Sequence, residues 1–251
     1  MVLELCHIIY IMKQGLTIAF SVFALIAISC TKESVKLEVT PSEVSLYVEG
    51  TKQITTNVED AQFSSKDEFY ASVDNTGLVT GNKVGETEIL VNSTHGTATI
   101  PVTIIPQYTL YPDLDGLVGK SQSDITKVMG NSYQTSTSSD GNTMMTYLNP
   151  TKYAEAIGFT ISKSNNLCSS IVVAVPTSYT SMLTKHLIER YSIAGMQNDY
   201  YFFLNHDKKV MIGLTVYSAS LLAVAYMNYT STKSSDIPDY SFIDDFRAII
   251  R

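Results

Sequence analysis

The chain has 251 residues, ordinary apolar content and few charges, with 24 Asp and Glu against 17 Lys and Arg for a net charge of −7. That length suits one or two domains with buried cores, and the acidic field repels phosphate backbones, which excludes nucleic acid as a partner. Three cysteines, Cys6, Cys30 and Cys168, are too few for a disulfide scaffold.

The first element is a targeting segment. Leu16 to Cys30 reads LTIAFSVFALIAISC and follows Met12 and Lys13, giving a basic start, an apolar core and small residues before the cysteine. The core is shorter than the roughly 20 apolar residues that span a bilayer. Met12 is therefore the expected start, with Met1 the alternative. The run Ala27-Ile28-Ser29-Cys30 resembles the lipobox of bacterial lipoproteins, with Ala27 where that family more often has Leu. The resemblance implies removal of residues 1–29 as a signal peptide, lipidation of Cys30 with added acyl chains such as palmitate, and a short tether over 30–33. Several acyl chains together hold a protein on a membrane, where one binds only reversibly. Thr31 in place of Asp implies, by the same resemblance, the outer membrane. Its periplasmic and surface faces both stay open, because only Glu33 is acidic in the residues that follow Cys30. The plain alternative is an ordinary signal peptide or short anchor with an incidental cysteine.

Residues 34–105 read as short alternating strands, VKLEVT, VSLYVEGTKQITTNV, EFYASVDNTGLVTGNKVGETEILVNS and GTATIPVTI, separated by turns that each carry a glycine. Strands at this spacing with no helical stretch predict an all-β sandwich. The phrase Asp74-x-x-Gly77-x-Val79-x-Gly81, with VTPSEVSLYVEGTKQIT before it, resembles the bacterial immunoglobulin-like group 2 domain. That family implies an envelope or extracellular module, found in adhesins and as a spacer in surface proteins. Its usual core Trp is missing here, and Phe63 before Ser64-Ser65 is expected to fill the place with a smaller ring. His95, beside Gly96, reads as a solvated turn residue.

Residues 106–113, bracketed by Pro106 and Pro112, read as a stiff linker. The region 114–229 then shows a pattern twice: helix, then three strands. Tyr147-Leu148-Asn149 matches Phe203-Leu204-Asn205, and IGFTIS matches IGLTVY. Ser121 with Asp124 predicts a capping box for the first helix, whose apolar face is Ile125, Val128 and Met129. The second helix is expected to carry Leu183, Leu187, Ile188 and Tyr191 on one side and to end at Gly195. The expected fold is therefore multidomain, an immunoglobulin-like sandwich followed by an α+β domain with an antiparallel sheet. The phrase GKSQSDITKVMG before strands resembles the BamE-like fold of small envelope lipoproteins at Gly119, Ser121, Ile125 and Gly130, and in tandem the β-lactamase-inhibitor protein. That likeness implies an open sheet face that grips a partner. Residues 230–251 form a polar break and a terminal tail.

Reactive chemistry is not legible. Cys168 lies in an apolar run and reads as a buried structural thiol; pairing it with His186 as nucleophile and base is the weaker reading. Asp113, Asp115 and Gly116 are a fragment of a calcium loop without a later acidic ligand, so a turn is expected. GLVGKS lacks the leading glycine of a phosphate loop. No enzyme, cofactor or metal is expected. The expected function is a lipid-anchored binding or adhesion module, the immunoglobulin-like domain a spacer and the sheet face the contact surface for an envelope protein or surface polysaccharide. Tyr147, Tyr201, Phe203 and Tyr217 are the candidate contact residues, because aromatic anchors carry interface energy. A scaffold with no dedicated ligand is the alternative.

Overall fold

The computed structural model describes residues 35–197 and 199–229. Cys30, both candidate start residues and the tail 230–251 lie outside them.

The N-terminal domain is a two-layer β-sandwich. Strands β2 (Val44–Tyr47), β9 (Gly96–Ile105), β8 (Gly85–Ser93) and β5 (Gln62–Ser65) form one sheet, with β2 parallel to β9 and the other pairs antiparallel. The second sheet orders β3 (Thr51–Gln53), β7 (Leu78–Gly81) and β6 (Ala71–Val73), and β1 (Val39–Thr40) pairs with β4 (Thr55–Thr56). Alternation sends Ile100, Val102 and Ile104 of β9 inward to meet Ile89 and Val91 of β8, Val44 and Val79. In the Asp74 phrase, the carboxylate accepts from the Thr76 and Leu78 N–H groups, both at 2.9 Å, and from the Thr76 hydroxyl at 2.7 Å. Gly77 has φ +84°, and a Cβ there would lie 2.6 Å from the Ile54 carbonyl oxygen and 2.9 Å from the Phe63 ring. The motif is thus a turn whose backbone and packing both require glycine. Phe63 sits half-buried over that turn.

The C-terminal domain is an eight-stranded antiparallel sheet with two helices. Helix α1 (Gln122–Met129) is followed by β10 (Gln134–Thr137), β11 (Thr143–Thr151), β12 (Ala154–Ile161) and β13 (Cys168–Pro176). Helix α2 (Thr180–Arg190) is followed by β14 (Ser192–Gln197), β15 (Tyr200–Leu204), β16 (Val210–Val216) and β17 (Leu221–Asn228). The sheet order is β10-β11-β12-β13-β17-β16-β15-β14, so the last strands of the two runs meet at the centre. This corrects the expected helix and three strands: each helix precedes four strands, the additional ones being the two sheet edges. It also corrects the end of the second helix. Helix α2 stops at Arg190, and Gly195 lies within β14, where the pairing with β15 shifts between Ile193 and Gly195.

Ser121 caps α1 with the first half of the expected box: its hydroxyl accepts from the Asp124 N–H at 3.3 Å, and the Asp124 carboxylate accepts from that hydroxyl at 2.7 Å, where a full box would use the Ser121 backbone N–H. Both helices cover one face of the sheet, where Ile125, Leu183 and Leu187 pack on Ile157, Phe159, Val173, Ile212 and Val224. Val128, expected on the apolar side of α1, is exposed. The segment 106–113 is not a free linker, because Leu110 and Tyr111 are buried in this same core. The Tyr111 and Tyr226 hydroxyls lie 3.1 Å apart inside it. The opposite face carries its own apolar cluster, built on Met144, Val172, Phe202, Met211 and Met227 with several alanines between them.

Candidate functional site

The helix face of the sheet is wider than its cover. Thr180, Thr184 and Ile188, four residues apart along one side of α2 (11 residues), face strands β14 to β16, which α2 leaves uncovered toward the free edge. The register places Tyr201 opposite Leu214, Val216 opposite Leu222 and Ile193 opposite Phe203, so these side chains share the face that α2 occupies. Beside the helix they enclose an open groove of about 530 Å³ with Phe203, Leu214 and Leu222 among its lining residues, along with Thr184 and Ile188 of α2. On its rim Ile193 is 69% exposed, Tyr201 54% and Val216 71%. The threonines do not make the groove polar. The Thr184 hydroxyl donates to the Thr180 carbonyl at 3.0 Å and the Thr180 hydroxyl to Thr177 at 2.6 Å, so the hydroxyls are satisfied by backbone. At the other edge of the sheet Tyr133 packs on Tyr147, ring centroids 5.5 Å apart, and the helix face is closed there.

The four candidate contact residues divide. Tyr201 stands exposed on the groove rim, and Phe203 is buried beneath it as part of the groove wall. Tyr147 is a core residue, its hydroxyl donating to the Gly130 carbonyl at 2.8 Å behind α1. This corrects its expected place on an open face: alternation gives two faces to a strand but does not say which one the helices take. Tyr217 lies on the opposite face, against the methionine cluster. Sequence reading missed Ile193 and Val216, because an exposed apolar residue on an expected core face carries no local signal.

The groove is held rigidly to the immunoglobulin-like domain. The final carbonyls of α2 are capped from that domain: the Val84 N–H donates to Glu189 at 2.8 Å and the Lys83 ammonium to Ile188 at 2.7 Å. The buried Glu189 carboxylate in turn accepts from the Gln107 and Tyr108 N–H groups at 3.3 and 3.1 Å. Arg190 is buried beside it, donating to Asp113 at 2.6 Å and to the Tyr108 carbonyl at 3.0 Å. His206, in the turn between β15 and β16, reaches Asp67 at 2.8 Å and packs edge-on against Phe69 and at a tilt against Tyr70.

The remaining candidates for chemistry are structural. Burial pushes the Cys168 thiol up to about 12, the reverse of what a nucleophile needs. Burial, aided by the neighbouring Arg190, brings His186 down from 6.5 to about 4, with Nδ1 3.1 Å from the Tyr108 carbonyl. Asp115 opens a single 3₁₀ turn and accepts from the Tyr191 hydroxyl at 3.2 Å, while Asp113 pairs with Arg190. Among the described residues no three His, Cys, Asp or Glu side chains are placed to hold a metal ion.

Comparison with known proteins gives residues 35–104 a family: they form a bacterial Ig-like domain (group 2). No curated protein matches the chain. Among solved structures, an intimin mutant from enterohaemorrhagic O157:H7 is 16% identical, with 53% of this chain and 91% of that one covered and a TM-score of 0.25. Domains 5–6 of the S-layer protein SbsC are 14% identical, covering 79% of this chain and 86% of that one with a TM-score of 0.25. A SusE-like surface-located polysaccharide-binding protein from the Bacteroides thetaiotaomicron heparin utilisation locus is 12% identical, covering 80% of this chain and 35% of that one with a TM-score of 0.22.

Proposed function

We propose that this chain is a binding module of the bacterial cell envelope, anchored by lipid at Cys30 and presenting the groove beside α2 to a partner. The observation that carries the reading is the exposed trio Ile193, Tyr201 and Val216 around an apolar groove of about 530 Å³. Large apolar side chains gathered around a concavity mark a contact site more than a solvated surface. The aliphatic rim and the inward-satisfied threonines favour an apolar segment of an envelope protein over a sugar, whose hydroxyls need side-chain partners. The immunoglobulin-like domain acts as a mount, its turn at Lys83 and Val84 fixing the direction in which α2 points the groove. The reading is non-enzymatic: a thiol held protonated and a histidine held neutral in the core are poor nucleophile and base. The outer membrane is the proposed location, on the lipobox resemblance and Thr31 alone.

Two experiments test it. Radiolabelled palmitate supplied to growing cells should label the protein and not its Cys30→Ala variant; an unlabelled parent removes the anchor. Envelope protein and surface polysaccharide fractions passed over the immobilised protein should leave a retained protein that Val216→Lys releases. Equal retention by that variant removes the groove. A second reading, a rigid scaffold without a ligand, is favoured by the capped joint between the domains and would be left standing by the second result.

A further inference from the structure

We propose that His206 and Asp67 form a pH-dependent latch between the two domains, closed when the His206 ring is protonated. His206 stands in the turn from β15 to β16, and its Nε2 lies 2.8 Å from a carboxylate oxygen of Asp67 in the immunoglobulin-like domain. The acceptor is held in place. The other Asp67 oxygen accepts from the Phe69 N–H at 3.0 Å, the Asp67 N–H donates to the Ser65 hydroxyl at 3.2 Å, and the Asp67 carbonyl accepts from the Tyr70 N–H at 3.3 Å. Two rings fix the position of the imidazole, Phe69 with its centroid 4.7 Å away and Tyr70 at 5.1 Å. A neutral imidazole can give Asp67 one ordinary hydrogen bond, whereas an imidazolium makes that bond charge-assisted and roughly twice as strong.

The latch bears on the joint itself. Tyr70 lies so close against Gly85 that no Cβ would fit there, and Gly85 follows Val84, whose N–H caps α2. The turn that receives His206 therefore supports the residue that holds the helix. The other charged and titratable groups near the ring are already engaged or point elsewhere. Asp113, Asp115, Arg190, Tyr70 and Tyr191 line the same cleft of about 230 Å³. Within it Arg190 donates to Asp113, and Asp115 accepts from the Tyr191 hydroxyl and from Asn205. On the His206 turn Lys209 pairs with Asp207 at 3.0 Å and Lys208 is exposed. Beside Asp67, Lys66 pairs with Glu88 and Glu68 is exposed. Asp67 is thus the carboxylate aimed at the ring. A bond gained with the proton stabilises below the range in which the ring titrates and is lost as the pH rises through it. The sign is opposite to that of His186, whose burial disfavours its charged form.

A double-mutant cycle tests the latch. Urea unfolding of the full-length chain is followed at about pH 5.5 and about pH 8, which bracket the histidine range, for the parent, His206→Gln, Asp67→Asn and the double variant. His186 is present in all four, so its own response cancels. In acid the coupling between the two positions should be about threefold in the unfolding equilibrium constant, the size expected of a partly exposed ion pair. At the higher pH it should fall below about 1.5-fold. Coupling that does not fall between the two pH values, or no coupling at either, overturns the proposal. If His206→Gln does not fold, the parent and Asp67→Asn carry the comparison alone. Their unfolding constants should then differ by a factor about twice as large in acid, and a difference that is no larger in acid overturns the latch.

Discussion

The backbone N–H of Val84 donates to the carbonyl of Glu189 at 2.8 Å, and through this bond one domain terminates a helix of the other. The last carbonyls of an α-helix have no partner within it. Here Ile188 and Glu189 find theirs on a turn of the immunoglobulin-like domain, while the Glu189 side chain ties the same point to residues 107 and 108. The two domains are expected to unfold in one calorimetric transition. Lys83→Met, which keeps the stem and removes the donor, should lower stability by about 1 kcal/mol. Glu189→Ala, which leaves two backbone N–H groups without their acceptor, should lower it by about 2 kcal/mol. Two separate transitions in the parent protein contradict this joint.

His186 gives the joint a pH dependence. It is buried against Tyr111, ring centroids 4.5 Å apart, and titrates near 4 in place of 6.5. Between those values the unfolded chain binds a proton that the folded chain refuses, so the contribution of this group to stability falls as the pH drops through that window. The loss amounts to about 3 kcal/mol by pH 4. The His186→Phe variant should show a flatter stability curve from pH 6.5 to 4 than the parent, measured by urea unfolding. Parallel curves for the two proteins exclude it.

Tyr201 and Phe203 are two positions apart on one strand and should behave oppositely. Phe203→Ala opens a cavity in the core and should cost about 3 to 5 kcal/mol. Tyr201→Ser, at an exposed rim position, should change stability by no more than about 0.5 kcal/mol. Chemical denaturation of the two variants checks both values.

Gly77→Ala is expected to be severe for its size. The left-handed φ and the 2.6 Å approach to the Ile54 carbonyl oxygen together should cost about 2 to 4 kcal/mol. A substitution at Gly116, where a Cβ would meet nothing within 4 Å, serves as the control.

These particulars show what kind of information a sequence carries. The Asp74 to Gly81 phrase was legible because each residue in it answers a local demand, a carboxylate for two backbone donors and a glycine for positive φ. The Ser121 cap was legible for the same reason. Strands β10 and β14 were missed because edge strands need no apolar alternation: every residue of Gln134–Thr137 is exposed. The segment 106–113 reads as linker from its prolines, but Leu110 and Tyr111 enter a core formed by residues far along the chain. The groove depends on which strands α2 leaves uncovered at its side, a tertiary fact with no local signature. Tyr201 was found as an aromatic, and only the register of β15 against β14 and β16 joins it to Ile193 and Val216.

The most direct test of the groove as a contact surface is a titration. The envelope protein retained by the parent chain is measured against the parent, against Tyr201→Ser, and against Ala225→Ser on the opposite face as a control. The groove reading expects at least a tenfold weaker dissociation constant for Tyr201→Ser and none of that loss for Ala225→Ser. Equal affinity of the parent and Tyr201→Ser, with both proteins folded, contradicts it.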